Sequence, residues 1–217
     1  MMERFTIYAK DSWCDTKDEK RRTCLRHDTD AFYHAEYHGG GNWKIAGTIE
    51  NLICTFKNDI TPYSKETLDD AMLRLCNILI KDFREILSIK GGFPLTICVI
   101  PRAKHEEHYR SDQRLFRQAV RIVIKFLNNK GDNRFIDGTH NIIRHTDTPT
   151  THLHEGRSYC GVTKDTCNIT GVKGKNILLV DDLYTKTVCI DEDAIQALYD
   201  NGANSVIFYS VGKTIMK

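Results

Sequence analysis

A chain of 217 residues fits one domain, or one domain with an appendage, at the roughly 150 residues typical of a domain. With 41% hydrophobic and 28% charged residues, and only 4 Pro and 14 Gly, its composition excludes a disordered or collagenous chain. Lys and Arg number 31 against 29 Asp and Glu, a formal charge of +2. A protein basic over its whole surface is thereby excluded, and any anion site must be local. No apolar run approaches the roughly 18 residues that cross a bilayer. The opening Met1-Met2-Glu3-Arg4 lacks the apolar stretch of a secretory signal, so a cytoplasmic protein without membrane contact is expected. The eight cysteines are spread through the chain rather than paired closely, which suits reduced thiols; Cys54 and Cys98 sit in apolar runs as small hydrophobes.

In chain order, 5–8 reads as a strand, 15–22 as a charge run and 38–42 as a loop. Leu68, Met72, Leu75, Leu79, Phe83 and Ile86 share one face of a helix predicted over 66–89, which Gly91-Gly92 stops before a strand at 95–100. A second helix is expected over 112–127, with Phe116, Ala119, Val120, Val123 and Leu127 on its apolar face, and a short strand over 141–145. The stretch 146–174 is polar, Thr-rich and weakly periodic, and its length is that of a functional lid. The apolar run 176–181 is a buried strand. Ile190, Ala194, Ile195, Ala197 and Leu198 recur at helical spacing to a stop at Asn201-Gly202, and 205–211 is again a strand. Strand, helix and strand over this length make a right-handed parallel βαβ unit, and the alternation along the chain predicts an α/β fold with a mostly parallel sheet flanked by helices.

The chemistry concentrates at 180–187, expected where a parallel strand ends and its helix begins, which is the edge at which open α/β sheets gather ligands. Asp181 and Asp182 suit the two neighbouring hydroxyls of a ribose. Backbone N–H groups opening the next helix, with Thr185, Thr187 and Lys186, suit a phosphate. The plain structural reading is that the acids cap a loop and the threonines begin a helix. A phospho-receiver domain also places an acidic pair after an apolar strand, but at its first strand, whereas only 35 residues follow Asp182 here.

An apolar strand, two acidic residues and a Thr-containing loop resemble the phosphoribosyl pyrophosphate motif of type I phosphoribosyltransferases. The order of Cys98-Val-Ile-Pro101-Arg102, Ile143-Arg144, Thr148-Pro149, Arg157, the segment Gly174 through Thr185, Gly202-Ala203 and Gly212-Lys213-Thr214 is similar to the ComF, competence-associated branch, over roughly 45–214. The resemblance implies a small irregular hood or a degenerate zinc module over 1–44 and a phosphoribosyltransferase-like domain over 45–217. It assigns the ribose hydroxyls to Asp181 and Asp182, the 5′-phosphate to the loop of Leu183, Tyr184, Thr185, Lys186, Thr187 and Val188, and the diphosphate to the loop of Pro101, Arg102, Ala103 and Lys104. It further implies magnesium bridging diphosphate and ribose oxygens, phosphoribosyl pyrophosphate or a related ribose phosphate as ligand, and pyrophosphate exchanged for an unknown acceptor. Arg144, Arg157 or a histidine of 146–174 is expected to close over the site.

The sequence departs from the pattern where the family carries glycine after its first threonines, since Thr185-Lys186-Thr187-Val188-Cys189 has none. A β-branched residue reaches φ > 0 poorly, so binding and turnover are separate expectations, and a non-catalytic sensor or subunit of a DNA uptake, repair or defence complex is the alternative. Cys14 and Cys24, with nine residues between them, and His27, with His34 or His38 as a fourth, are spaced unlike the close pairs of zinc sites. The pairs His105/His108 and His152/His154 fit local bonding better, and no metal ligand is assigned. Two basic sets stand out, the run Lys17, Lys20, Arg21, Arg22 and Arg26 and the set Arg110, Arg114, Arg117, Arg121 and Lys125, of which the second recurs at helical spacing. Nucleic-acid contact is one reading of them and a solvated face the plainer one, while a protein partner or a homo-oligomer stays open.

Overall fold

A computed structural model describes residues 2–15, 21–60, 62–148, 161–186 and 188–215. Six strands form the main sheet: β1 (Glu3–Ile7), β4 (Thr29–Tyr37), β5 (Leu95–Val99), β6 (Phe135–Asp137), β9 (Asn176–Tyr184) and β10 (Ser205–Thr214). Their order is β1-β4-β10-β9-β5-β6, parallel throughout except for β1. Two small antiparallel pairs lie outside it, β2 (Trp13–Asp15) with β3 (Arg21–Thr23) and β7 (Ile142–Arg144) with β8 (Cys167–Ile169). Four helices flank the sheet: α1 (Ile49–Lys57), α2 (Lys65–Ile89), α3 (Leu115–Asn129) and α4 (Ile190–Asp200). Among the described residues no helix is long and apolar enough to cross a membrane.

The central strands are apolar on both faces, as a sheet covered on both sides requires. Leu178 and Val180 of β9 join Ile97 and Val99 of β5 under α1, α2 and α3. Ile177 and Leu179 join Cys98 and Phe208 under α4. Thr48 and Ser64 start α1 and α2 by accepting the amides of Asn51 and Thr67. Gly91 and Gly92, at φ 79 and 73, take the left-handed turn that ends α2.

The two strands at the centre send the chain in opposite directions. After β5 it crosses through α3 on one face to β6; after β9 it crosses through α4 on the other face to β10. That divergence opens a crevice at the carboxyl ends of β5 and β9, the switch point of a doubly wound sheet.

Three boundaries differ from the sequence reading. The strand expected to stop at 181 pairs with β10 as far as Tyr184, with Leu183 opposite Gly212, so the acidic doublet lies inside β9 rather than after it. The helix expected from 112 begins at Leu115, because Ser111–Gln113 forms a separate short 3-10 turn. Within 1–44, β1 and β4 are strands of the main sheet itself, and the parallel pairing of β4 with β10 ties that segment into the core.

Candidate functional site

A cleft of about 430 Å³ occupies the switch point. Val99 lies opposite Val180 and the Ile100 amide donates to the Val180 carbonyl at 3.0 Å, so the chain leaves β5 at the level of Asp181. The strands thus deliver Pro101, Arg102, Ala103 and Lys104 beside Asp181, Asp182 and Leu183, and all seven line the cleft together with Arg144, Thr185 and Val188.

Successive residues of a strand point to opposite faces, and the doublet divides accordingly. Asp182 turns toward α1, where its Oδ1 lies 2.7 Å from the Lys57 ammonium. Burial disfavours the Lys57 charge, but Asp182 and Asp181 outweigh it and hold the ammonium above its ordinary value. Asp181 turns toward the start of α4 and shares a hydrogen bond with Asp191, while also accepting the Asp182 amide at 2.8 Å. Burial, then the charge of Asp182, raises Asp181 to about 7. Burial and Asp181 raise Asp191 well above the carboxylate range, and its Oδ1 has no partner.

The other acids of α4's first turn are also buried. Glu192, raised by burial to about 7, accepts the Tyr184 hydroxyl at 2.9 Å. Asp193 is raised by burial to about 6 against the pull of Arg22, whose guanidinium reaches both its oxygens at 2.7 and 2.8 Å. Three carboxyl groups occupy the helix end where the resemblance expects a 5′-phosphate. Tyr184 and Lys186 line a second depression instead of the cleft, and Lys186 pairs with Asp11 at 3.0 Å. Thr185 faces the cleft and its hydroxyl meets that of Thr214 at 2.9 Å. The left-handed conformation falls at Cys189, φ 58, in the position preceding α4.

The opposite wall is basic. Arg102 is held by Asp59, by the carbonyls of Lys57 and Gln113, and by the Tyr109 ring 4.2 Å beneath its guanidinium; Asp59 keeps it above its ordinary value despite burial. Arg144 is buried and donates to the carbonyls of Arg102 and Thr146. Arg114 and Arg117 line the cleft too, which places two of the five residues of the basic helical row in a concave site, whereas Arg121 faces out near Asp137. Burial holds Arg117 below its ordinary value; it donates to the Thr139 carbonyl and lies 3.8 Å from Glu106.

Lys57 and Asp191 had no local sequence signal of function; they enter because α1 and α4 end at the doublet. His105 and His108 bond locally, His105 accepting the Glu107 amide and His108 meeting Asp147 at 3.0 Å. Thr187, Arg157, His152, His154, Pro149, Lys17, Lys20 and the side chains of Cys14 and Arg21 lie outside what the structure describes. Among the described residues no cluster of three or more His, Cys, Asp or Glu is arranged to hold a metal by itself.

Neither protein-family models nor curated proteins give a match to this chain.

Proposed function

We propose that the cleft binds phosphoribosyl pyrophosphate and that the protein is a ComF-like phosphoribosyltransferase. One observation carries the reading: a carboxylate doublet and a set of cations, brought together at the ends of adjacent parallel strands, line one switch-point cleft of a size that suits a small ligand. Carboxylates accept hydrogen bonds from vicinal hydroxyls, and cations offset a diphosphate.

In the proposed reaction the bond between the anomeric carbon and the diphosphate oxygen breaks, its electron pair leaving with pyrophosphate. The acceptor's lone pair forms the new bond to that carbon, and the acceptor's proton passes to solvent. Positive charge builds on the ribose ring beside Asp181 and Asp182, and negative charge on the departing oxygens beside the basic wall, so both are met by groups already in place.

The donor set suits magnesium. Asp181 and Asp191 offer hard oxygens on the α4 side of β9, where burial and their mutual proximity raise both and Lys57 is engaged with Asp182. Magnesium takes one or two carboxylates, with substrate phosphates and water completing its shell. When bound it would supply charge neutralisation of the diphosphate; Asp181, with Asp191 beside it, is the residue that would hold it.

The test is calorimetric titration with phosphoribosyl pyrophosphate and magnesium, followed by a pyrophosphate-release assay over candidate bases. Saturable binding to the native protein, lost in Asp181→Asn/Asp182→Asn with its fold retained, is expected. Absence of binding, or binding indifferent to that double variant, refutes the proposal. The three buried acids at the head of α4 and the outward turn of Lys186 favour a second reading, a phosphoribosyltransferase-fold sensor that binds without turnover. Binding with no pyrophosphate release over the same bases would select it.

A further inference from the structure

Sorting the cleft's cations by what already holds them separates two groups. Lys57 is paired with Asp182, and Arg102 is spent on Asp59, two carbonyls and the face of Tyr109. Arg117 and Arg144 donate to backbone carbonyls. Lys104 and Arg114 differ, since neither side chain makes a hydrogen bond or ion pair with any described residue. Lys104 acts only at longer range, on Asp147. The Nε of Arg114 is moreover closed off from solvent with no acceptor. A buried donor without an acceptor is costly, and such groups call for a specific explanation.

We infer that Arg114, at the head of α3, with Lys104, grips the diphosphate, and that Arg102 positions Arg114 instead of touching the ligand. This rests on the phosphoribosyl pyrophosphate reading of the cleft. A guanidinium presents a planar fork that matches two phosphate oxygens, so the unengaged guanidinium of Arg114 at the cleft wall is placed to take an anion. Arg102 donates at 2.8 Å to the carbonyl of Gln113, the residue immediately before Arg114. The Gln113 amide group reaches the Asn58 carbonyl and Asp59, each at 3.2 Å, and the Gln113 side-chain oxygen accepts the Arg110 amide at 3.2 Å. The end of α1, the loop after β5 and the head of α3 are thus tied together around Arg102, with Arg114 presented to the cleft and left unused.

The charge layout of the cleft agrees. The first turn of α4 carries Asp191, Glu192 and Asp193, whereas the first turn of α3 carries no acid and no side-chain cap. A ligand with a diphosphate at one end and a sugar at the other meets the α3 end with its anion and the doublet with its hydroxyls.

The test titrates the native chain, Arg114→Met, Arg114→Lys and Lys104→Met with three probes in magnesium: inorganic pyrophosphate, phosphoribosyl pyrophosphate and ribose 5-phosphate. Arg114→Met should weaken the two diphosphate-bearing probes by about tenfold or more and ribose 5-phosphate by less than about twofold, with Arg114→Lys between. Its thermal midpoint should match the native protein's, because the guanidinium holds nothing in the free fold. Lys104→Met should show the same selectivity, and it serves should Arg114→Met fail to fold. Pyrophosphate bound equally by native protein and Arg114→Met, or not bound by either, overturns the inference. If pyrophosphate binds through Arg114 while both ribose probes fail, the anion grip stands and the phosphoribosyl reading falls. If phosphoribosyl pyrophosphate binds and Arg114→Met leaves it unchanged, the reading stands and the grip falls.

Discussion

Replacing Asp191 by Asn removes one of the two bonded carboxyl groups buried between β9 and α4. Burial and Asp182 hold Asp181 at about 7 against an ordinary 3.8, and Asp191, bonded to it, is displaced upward as well. Lys57 answers the cluster with its one charge, and it sits against Asp182. A carboxyl group whose folded pKa exceeds its unfolded pKa binds its proton more tightly when folded. Its stabilising contribution is therefore complete below about pH 4 and is lost as pH rises through about 7. Roughly three pH units at about 1.4 kcal/mol each put the loss for Asp181 at no more than about 4 kcal/mol. The amide preserves size and still donates an N–H to Asp181, while the carboxyl group whose ionisation burial and Asp181 oppose is gone. The variant is expected to equal the native protein near pH 5 and to exceed it by about 2 kcal/mol at pH 8. Urea unfolding followed by tryptophan fluorescence at pH 5, 6.5 and 8 measures this. Glu192 and Asp193 titrate in the same range in both proteins and cancel in the difference. A difference that is the same at pH 5 and pH 8 refutes the shared-proton account of Asp181 and Asp191.

Three further outcomes follow from the same packing. Lys57→Met leaves Asp182 facing an apolar side chain and should cost about 2–3 kcal/mol by urea unfolding, below the 3–5 of a fully buried pair because both partners keep some exposure; the added change Asp182→Asn should recover part of it in a double-mutant cycle. Gly138→Ala would place a Cβ 2.6 Å from Thr96 Cγ2 and 3.2 Å from Cys98 Sγ, short side chains on the fully buried β5, and should cost about 1–3 kcal/mol by calorimetry. Tyr209→Phe removes the hydroxyl that donates at 2.8 Å to Asp82, whose other oxygen already lacks a partner, and should cost about 1.5–3 kcal/mol while leaving ligand affinity at the cleft unchanged.

Where period and punctuation agree, the chain announces its elements. The 66–89 face, stopped by two glycines, is α2 (Lys65–Ile89), and the apolar runs around Asn176 and Ser205 are the paired centre of the sheet. The elements that escaped lack that agreement. β4 runs Thr-Asp-Ala-Phe-Tyr-His-Ala-Glu-Tyr, with polar and apolar residues mixed, because its buried Tyr33 and half-buried His34 find partners in Glu3 and Asp82 far along the chain. α1, at nine residues, spans too few turns for its stripe to stand out. Asp82 interrupts the apolar face of α2 between Leu79 and Ile86. That polar residue in a core stripe is the one local mark of the buried network joining α2 to β4 and β10.

The site was legible as a doublet and a basic loop but not as a polarity. Two adjacent aspartates on a line of sequence look equivalent, yet the alternation of a strand sends one to α1 and the other to α4, where they meet opposite company. Asp182 gains a cation and Asp181 gains another acid, so the pair differs in its company although it shares a backbone. A basic residue after β5 likewise reads as a ligand for phosphate, and Arg102 is consumed in joining three segments, whereas Arg114 in a helical row reads as solvated surface and lies unused in the cleft. Availability, rather than charge, is what fits a side chain to bind, and it depends on partners brought in by α1, α3 and α4 from positions that no local spacing connects.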